Sequence, residues 1–157
     1  MSRPGTDLAR ESRVAAESLC PGVGCGELLW LDEPLSLWGG TDLATGMITD
    51  VHHPQHGLSI AGRVLVMSAS RGSSSSTSVL AEQIRAGVAP AAIVLSSRDA
   101  IITLGALAAA EVYEVWLPIV LVDEHGRTAL PRSGPVAVVA TDAGASVTWN
   151  TPPFPND

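Results

Sequence analysis

Residues 63–96, "RVLVMSASRGSSSSTSVLAEQIRAGVAPAAIVLS", decide the fold. The segment holds two short apolar runs separated by a serine-rich loop and a stretch with apolar residues at helical spacing. Short apolar runs bounded by turn residues are typical of buried strands, and the stretch between them is typical of a helix. A second helical stretch over about 99–111 and an apolar run at 118–123 continue the alternation. The pattern predicts a βαβαβ unit with three parallel strands and right-handed crossovers.

The segments that flank this unit are predicted to be β-rich. Residues 26–42, 46–50 and 134–150 contain short apolar stretches separated by Gly, Pro and Asp, which is typical of strands and turns. The last of them predicts a hairpin that turns at 141–144. The predicted fold class is therefore α/β, with a mostly β layer packed against the short parallel βαβαβ unit.

The chain length is that of one domain, which we place at residues 23–150. Residues 1–22 are predicted to be a flexible N-terminal leader, disordered or weakly helical. They lack the unbroken apolar core of a secretory signal, so a cytoplasmic protein is expected. Residues 151–157, "TPPFPND", are predicted to form an extended, Pro-rich C-terminal tail. The apolar stretch 101–122 carries two Glu and one Pro, which favours a helix, a turn and a strand over a membrane span.

Composition excludes several function classes. All nine basic residues are arginine, so a Schiff base, a pyridoxal phosphate anchor and a phosphate-loop lysine are excluded. The net charge of −7 argues against nucleic acid or an acidic membrane as partner. No G-x-S-x-G nucleophile elbow is present. What remains is a protein that binds a small molecule or another protein.

Cysteine, histidine and tryptophan give little sign of a metal site. Two cysteines cannot complete a tetrahedral zinc site, so Cys20 and Cys25 are expected to be free thiols. In "HHPQHG", Pro54 disrupts the helical spacing that would bring His52 and His56 to one face, so a metal site is disfavoured and His53-Pro54 is interpreted as shaping a loop that faces a partner. The tryptophans are interpreted as core or subunit-contact aromatics: Trp30, Trp38, Trp116 and Trp149.

The serine run Ser73–Ser76 has three physical interpretations. A flexible linker would be longer and would not lie between a buried strand and an amphipathic helix. Helix capping needs one serine. The loop that leaves the carboxyl end of a parallel strand and opens a helix is also where ligands bind, because free N–H groups and the helix dipole favour an anion there. Gly72 would allow close approach and Arg71 would supply positive charge. The residue types alone do not decide whether the serine run caps the helix or binds an anion.

Residues 32–95 resemble the swivel domain of the aconitase X family, which in many members is a separate small subunit. The resemblance is carried by "EPLSLWGG", "HP", "G-SI-GRVLV" and "RGSSSS" in that order and spacing, and it extends more loosely to about Asp123. It implies a swivelling β/β/α fold like the fourth domain of aconitase, in agreement with the two layers predicted above.

The resemblance also implies roles for the serine loop. The first serine of the superfamily loop, Ser73 here, would act as an alkoxide-like general base during dehydration. A serine can accept a proton only if N–H donors, a helix N-terminus or positive charge stabilise its oxyanion. Ser74 and Ser75 would hold substrate oxygens together with Arg71 and Gly72. Where the superfamily loop usually has an arginine after the serine pair, this chain has Ser75. Gly39 and Gly40 either line the cleft or form an ordinary turn.

The function implied is that of the small subunit of an aconitase X-type hydro-lyase, active with a large catalytic subunit. The expected iron or iron–sulfur centre would lie on that partner, and no metal is assigned to this chain. The substrate would be a small anionic hydroxy-carboxylate. We favour cis-3-hydroxy-L-proline, with mevalonate 5-phosphate as the alternative. A non-catalytic swivel module that binds an anion or a protein, or a structural subunit whose serines only cap a helix, would also fit the residues.

Overall fold

The protein is described by a computed structural model that covers residues 9–152. Seven strands occur in this part of the chain: β1 Arg10–Cys20, β2 Gly22–Trp30, β3 Val64–Met67, β4 Ala92–Leu95, β5 Ile119–Leu121, β6 Pro135–Thr141 and β7 Gly144–Thr151. The helical elements are α1 Leu37–Gly40, α2 Ser75–Ala86, α3 Ala100–Tyr113 and α4 Glu124–Ala129. The element α1 is a turn rather than a helix, because Trp38 and Gly39 have non-helical backbone angles.

The strands form a closed ring in the order β1-β5-β4-β3-β2-β6-β7, with β7 paired to β1. One side of the ring holds the parallel strands β2 to β5, and the other holds the antiparallel strands β6 and β7 between β1 and β2. Helices α2 and α3 cover the parallel side. This β/β/α arrangement confirms the predicted fold class. It adds β2 as a fourth parallel strand, since residues 26–30 were expected only in the flanking β layer.

Two hydrophobic cores explain why the parallel strands are apolar at every position. Along β3, Val64 and Val66 point into the ring, whereas Leu65 and Met67 pack under the helices. All four side chains are at most 1% exposed. A strand with helices on one face and a second β layer on the other buries both of its faces, so alternation disappears. The short apolar runs of the sequence are therefore buried strands, as predicted.

The leader predicted for residues 1–22 is wrong over its described part. Residues 10–20 form β1, which pairs antiparallel with β7 and β5. Its burial alternates along much of its length, and Val14 and Cys20 are its buried apolar positions. The sequence of β1 does not by itself predict a strand, because most of its outward positions are charged and few of its inward positions are large and apolar. Residues 1–8 lie outside the described residues. So do residues 153–157 of the predicted tail, whose first residue, Thr151, ends β7.

The remaining elements agree with expectation in most places. The hairpin β6–β7 turns between Thr141 and Gly144, as predicted. The apolar stretch 101–122 divides into helix α3, a connection and strand β5, and no helix within residues 9–152 is long and apolar enough to cross a membrane. Residues 46–50 form isolated bridges instead of the predicted strand.

The segment 31–63, which we call the crossover, connects the parallel strands β2 and β3. A helix usually makes such a connection, whereas this one is mostly irregular. It lies on the helical side of the sheet, where five of its side chains enter the core: Leu31, Leu35, Leu37, Ile48 and Ile60. A buried hydrogen bond of 2.8 Å from Gln83 Nε2 to Thr41 Oγ1 fixes it to α2. The crossover therefore extends the helical layer.

Both cysteines are free, as expected, but their surroundings differ. Cys25 is exposed on β2, whereas Cys20 is fully buried at the end of β1. Burial raises the pKa of the Cys20 thiol from 9.0 to about 11. The neutral thiol is therefore the form that the folded protein holds.

Cys20 gives the fold a predictable loss of stability in alkali. Below pH 9 the thiol is protonated in both states, and between pH 9 and about 11 only the unfolded chain releases the proton. We expect the free energy of unfolding to fall across this window by on the order of 2 kcal/mol through Cys20. Urea unfolding at several pH values measures it, and the absence of lysine removes the lysine contribution to the background titration. Cys20→Ala should flatten the slope and Cys25→Ala should not; equal slopes in all three proteins would contradict the assignment.

Candidate functional site

The loop between β3 and α2 presents the serine run at the carboxyl edge of the parallel sheet. Residues 71–75 are exposed, whereas Ser76 is fully buried. Gly72 has φ = +108°, and a Cβ atom at this position would lie 3.0 Å from Ser36 Oγ. Glycine is thus required both by the backbone angle and by the close approach of the crossover. Three of the four serines are therefore accessible to a ligand or a neighbouring chain.

Ser73 lies at the N-terminus of α2 and accepts a helix N–H. The Ser75 N–H donates to Ser73 Oγ at 3.3 Å. Ser74 already has helical backbone angles, and its side chain makes no capping bond. Helix capping and anion stabilisation therefore both involve Ser73. The Ser75 N–H that Ser73 Oγ caps would also stabilise a negative charge on that oxygen.

Arg71 supplies positive charge to the same loop. Its N–H donates to Leu35 O at 3.0 Å, which ties the loop to the crossover. Its side chain is exposed, and the ion pairs within residues 9–152 are Arg85–Glu82 and Arg98–Glu17. No acidic side chain in this part of the chain therefore neutralises Arg71.

Asp99 holds the serine loop in place, a role that the sequence did not reveal. Its Oδ2 accepts the Ser70 N–H at 2.7 Å and also the Ser70 hydroxyl. Its Oδ1 accepts the N–H groups of Ile101 and Ile102, at 3.0 and 3.2 Å, and so caps α3. An Asp before a helical stretch signals the cap, but nothing local signals the bond to Ser70. One buried carboxylate therefore joins the loops after β3 and β4.

The two adjacent glycines of the crossover, Gly39 and Gly40, differ in exposure. Gly39 is exposed with φ = +77°, whereas Gly40 is buried and its carbonyl accepts the N–H groups of Thr49 and Asp50. The nearby Ser36 hydroxyl donates to Trp38 O at 2.7 Å and borders Gly72. The structure therefore brings Gly39 to the edge of the sheet that carries the serine loop, and it uses Gly40 within the turn.

The histidines and cysteines do not combine into a metal site. His53 is buried; its Nδ1 accepts the Gln55 N–H at 3.1 Å and its Nε2 lies 3.0 Å from Glu33 O, so both ring nitrogens are engaged. His52 and His56 are exposed. Within residues 9–152, no three His, Cys, Asp or Glu side chains are grouped as metal ligands. The iron or iron–sulfur centre that the resemblance implies does not fit the donors in this part of the chain.

The family comparison matches nearly the whole described chain. The family model for the aconitase X swivel domain covers residues 13–148. Among solved structures, the chain is similar to Thermococcus kodakaraensis aconitase X in its holo-form, with a TM-score of 0.75 and 28% identity over 88% of this chain and 98% of that one. The family match begins within β1.

Two curated relatives differ in how they carry the matching segment. Cis-3-hydroxy-L-proline dehydratase of Pseudomonas aeruginosa is 37% identical over 83% of this chain, which spans only 26% of that protein. The phosphomevalonate dehydratase small subunit of Methanothermobacter thermautotrophicus is 41% identical over 56% of this chain and 67% of that one. The segment thus occurs both within a longer chain and as a separate subunit.

Proposed function

This chain belongs to the aconitase X swivel-domain family, and from that membership we propose that it is the small subunit of an aconitase X-type hydro-lyase. In this proposal it delivers Ser73 as general base to an active site that a large subunit completes. One observation carries the proposal: Ser73 stands exposed at the N-terminus of α2, with a backbone N–H directed at its hydroxyl oxygen.

The proposed chemistry is the removal of water from a hydroxy-carboxylate. Ser73 Oγ, as an alkoxide, takes the proton from the carbon next to the carboxylate, and the electron pair of that C–H bond forms the new C=C bond as the hydroxyl leaves the neighbouring carbon. The departing hydroxide takes one proton from solvent to become water, and Ser73 returns the abstracted proton to solvent. The Ser75 N–H, the N-terminus of α2 and Arg71 stabilise the alkoxide before the proton moves. The Ser75 N–H already points at Ser73 Oγ in the folded loop, so this donor needs little reorganisation at the moment of reaction.

The neighbouring residues would bind the substrate anion. Ser74 and Ser75 are exposed beside Ser73 and would donate to carboxylate oxygens, with Arg71 and the backbone of Gly72 and Gly39 around them. The iron or iron–sulfur centre expected of the enzyme is placed on the large subunit.

Cis-3-hydroxy-L-proline is the substrate that we favour. The Pseudomonas relative named for that activity matches more of this chain than the archaeal small subunit does. Mevalonate 5-phosphate is the second candidate, supported by the archaeal relative, which is also a separate small subunit. The third possibility, a module that binds an anion or protein without chemistry, predicts no turnover of either compound.

The test is coexpression with a large aconitase X-type subunit from the same genome, followed by copurification and assay with both compounds. We expect a stable complex that dehydrates cis-3-hydroxy-L-proline, while neither subunit alone turns it over. Dehydration of mevalonate 5-phosphate instead would change the substrate and keep the subunit role. A chain that stays alone, or a large subunit that is fully active without it, would contradict the proposal.

A further inference from the structure

Five large apolar side chains are exposed on the crossover, and we call this set the crossover patch: Trp38, Leu43, Met47, Val51 and Leu58. Their exposed fractions run from 42 to 70%. Single exposed apolar residues are ordinary, whereas several of them on one segment make that segment a candidate interaction site.

Main-chain hydrogen bonds hold the parts of the crossover patch together. The Thr49 N–H donates to Gly40 O at 2.9 Å, which places the turn that carries Trp38 beside the segment that leads to Val51. The Ile48 N–H donates to Leu58 O at 2.8 Å. The five side chains therefore belong to one connected piece of backbone, fixed to the core by its buried leucines and isoleucines.

The charge of the crossover is mostly negative, with Arg63 at its end as its one basic residue. No arginine or lysine occurs from residue 14 to residue 62. The crossover carries four acidic residues: Asp32, Glu33, Asp42 and Asp50. The N–H groups of Ala44 and Thr45 and the Thr45 hydroxyl hold the pKa of Asp42 below its usual range, so it stays ionised. A partner that fits this surface has apolar residues at the centre and basic residues around them.

We propose that the crossover patch is the surface on which the large subunit docks. The inference rests on the proposed function and adds to it the face of contact and the character of the partner's surface. Ser36 gives the geometric reason, because its hydroxyl donates to Trp38 O and borders Gly72. A chain that covers Trp38 therefore also encloses the serine loop, as a shared active site requires.

A second exposed apolar surface lies at the opposite edge of the sheet. It is the alternative surface on which a large subunit could dock. Val112 belongs to the last turn of α3, and Trp116 precedes the amino end of β5. A large subunit docked only there would leave Ser73, at the carboxyl edge, outside the contact. The two surfaces offer matched pairs, since Trp38 and Trp116 are 62 and 52% exposed and Val51 and Val112 are 70 and 68% exposed.

The matched pairs define the experiment. Trp38→Ser, Val51→Ser, Trp116→Ser and Val112→Ser are each made in the full chain, and the dissociation constant of its complex with the large subunit is measured. We expect Trp38→Ser to weaken binding at least ~30-fold, the size of an aromatic hot spot, and Val51→Ser several-fold. Trp116→Ser and Val112→Ser should change it less than about 3-fold. Thermal unfolding of each variant verifies that it is folded.

Several outcomes would overturn the docking surface. If the matched variants at Trp116 and Val112 weaken binding and those at Trp38 and Val51 do not, the surface is wrong while the subunit role stands. If Trp38→Ser dissociates a dimer of this chain and leaves binding of the large subunit unchanged, the occupant is a second copy. If the unmodified chain neither binds a large subunit nor supports turnover, the proposed function fails together with its surface.

Discussion

Ser73→Ala is expected to lower the turnover of the assembled enzyme by about 10²- to 10⁴-fold, the usual cost of losing a general base. The variant removes the oxygen that accepts the Ser75 N–H and would accept the substrate proton. The same change removes a cap from α2, which costs about 1 kcal/mol of stability or less. A capping role alone would therefore reduce the free energy of unfolding and leave turnover nearly normal.

The matched control is Ser78→Ala, which removes an exposed hydroxyl from the same helix. Turnover under saturating substrate, complex formation and thermal unfolding are measured for both variants. Ser78→Ala should be indistinguishable from the unmodified complex. An assembled Ser73→Ala complex with turnover within about 3-fold of normal would remove the role that we assign to Ser73.

Asp99→Asn is expected to lower kcat by about 10- to 100-fold, because it releases the loop that positions Ser73. Asp99 uses both carboxylate oxygens, one for the Ser70 N–H and hydroxyl and one to cap α3. Asparagine has only one acceptor oxygen, so one of these two groups of donors is left facing an NH₂ group. A buried donor without its acceptor costs about 1–3 kcal/mol.

Asp123→Asn separates positioning from loss of stability. Asp123 caps α4 through a 2.7 Å bond from the Gly126 N–H and makes no bond to the serine loop. Asp123→Asn should change stability modestly and leave kcat unchanged. Because Asp99 acts through Ser73 rather than on the substrate, we expect kcat to fall more than KM changes in Asp99→Asn. A normal kcat in that variant would show that the serine loop keeps its position without the carboxylate.

The parallel unit and the serine loop could be predicted because their signals are local. Each strand from β3 to β5 is a short apolar run, and α2 follows its serines at helical spacing. Exposure of residues 71–75 follows from their place at the carboxyl edge of the sheet. The general-base role of Ser73 stays a prediction, since it came from the resemblance and awaits the variant.

Other features depend on contacts between distant segments and could not be predicted from a local pattern. Strand β1 is held by β5 and β7, whose paired residues lie 99 or more positions away in sequence. The bond from Ser70 to Asp99 crosses 29 residues. The apolar stretches of the crossover predict short strands, whereas its buried side chains reach the core from mostly irregular backbone. The crossover patch could therefore not be predicted from the sequence, because the exposure of its residues is known only from the structure.

Closure of the strand ring matters for how the subunit is made. Each of the seven strands in residues 9–152 is bonded on both sides, so these strands leave no open edge at which another polypeptide could add itself. If the chain is a subunit as proposed, a newly synthesised copy that has not yet met a large subunit is thereby protected from fibril-like association. Its exposed Trp38 can stay uncovered in the meantime, because association through apolar side chains does not propagate by main-chain hydrogen bonding as strand addition does. Synthesis of the two subunits in unequal amounts should therefore be tolerated.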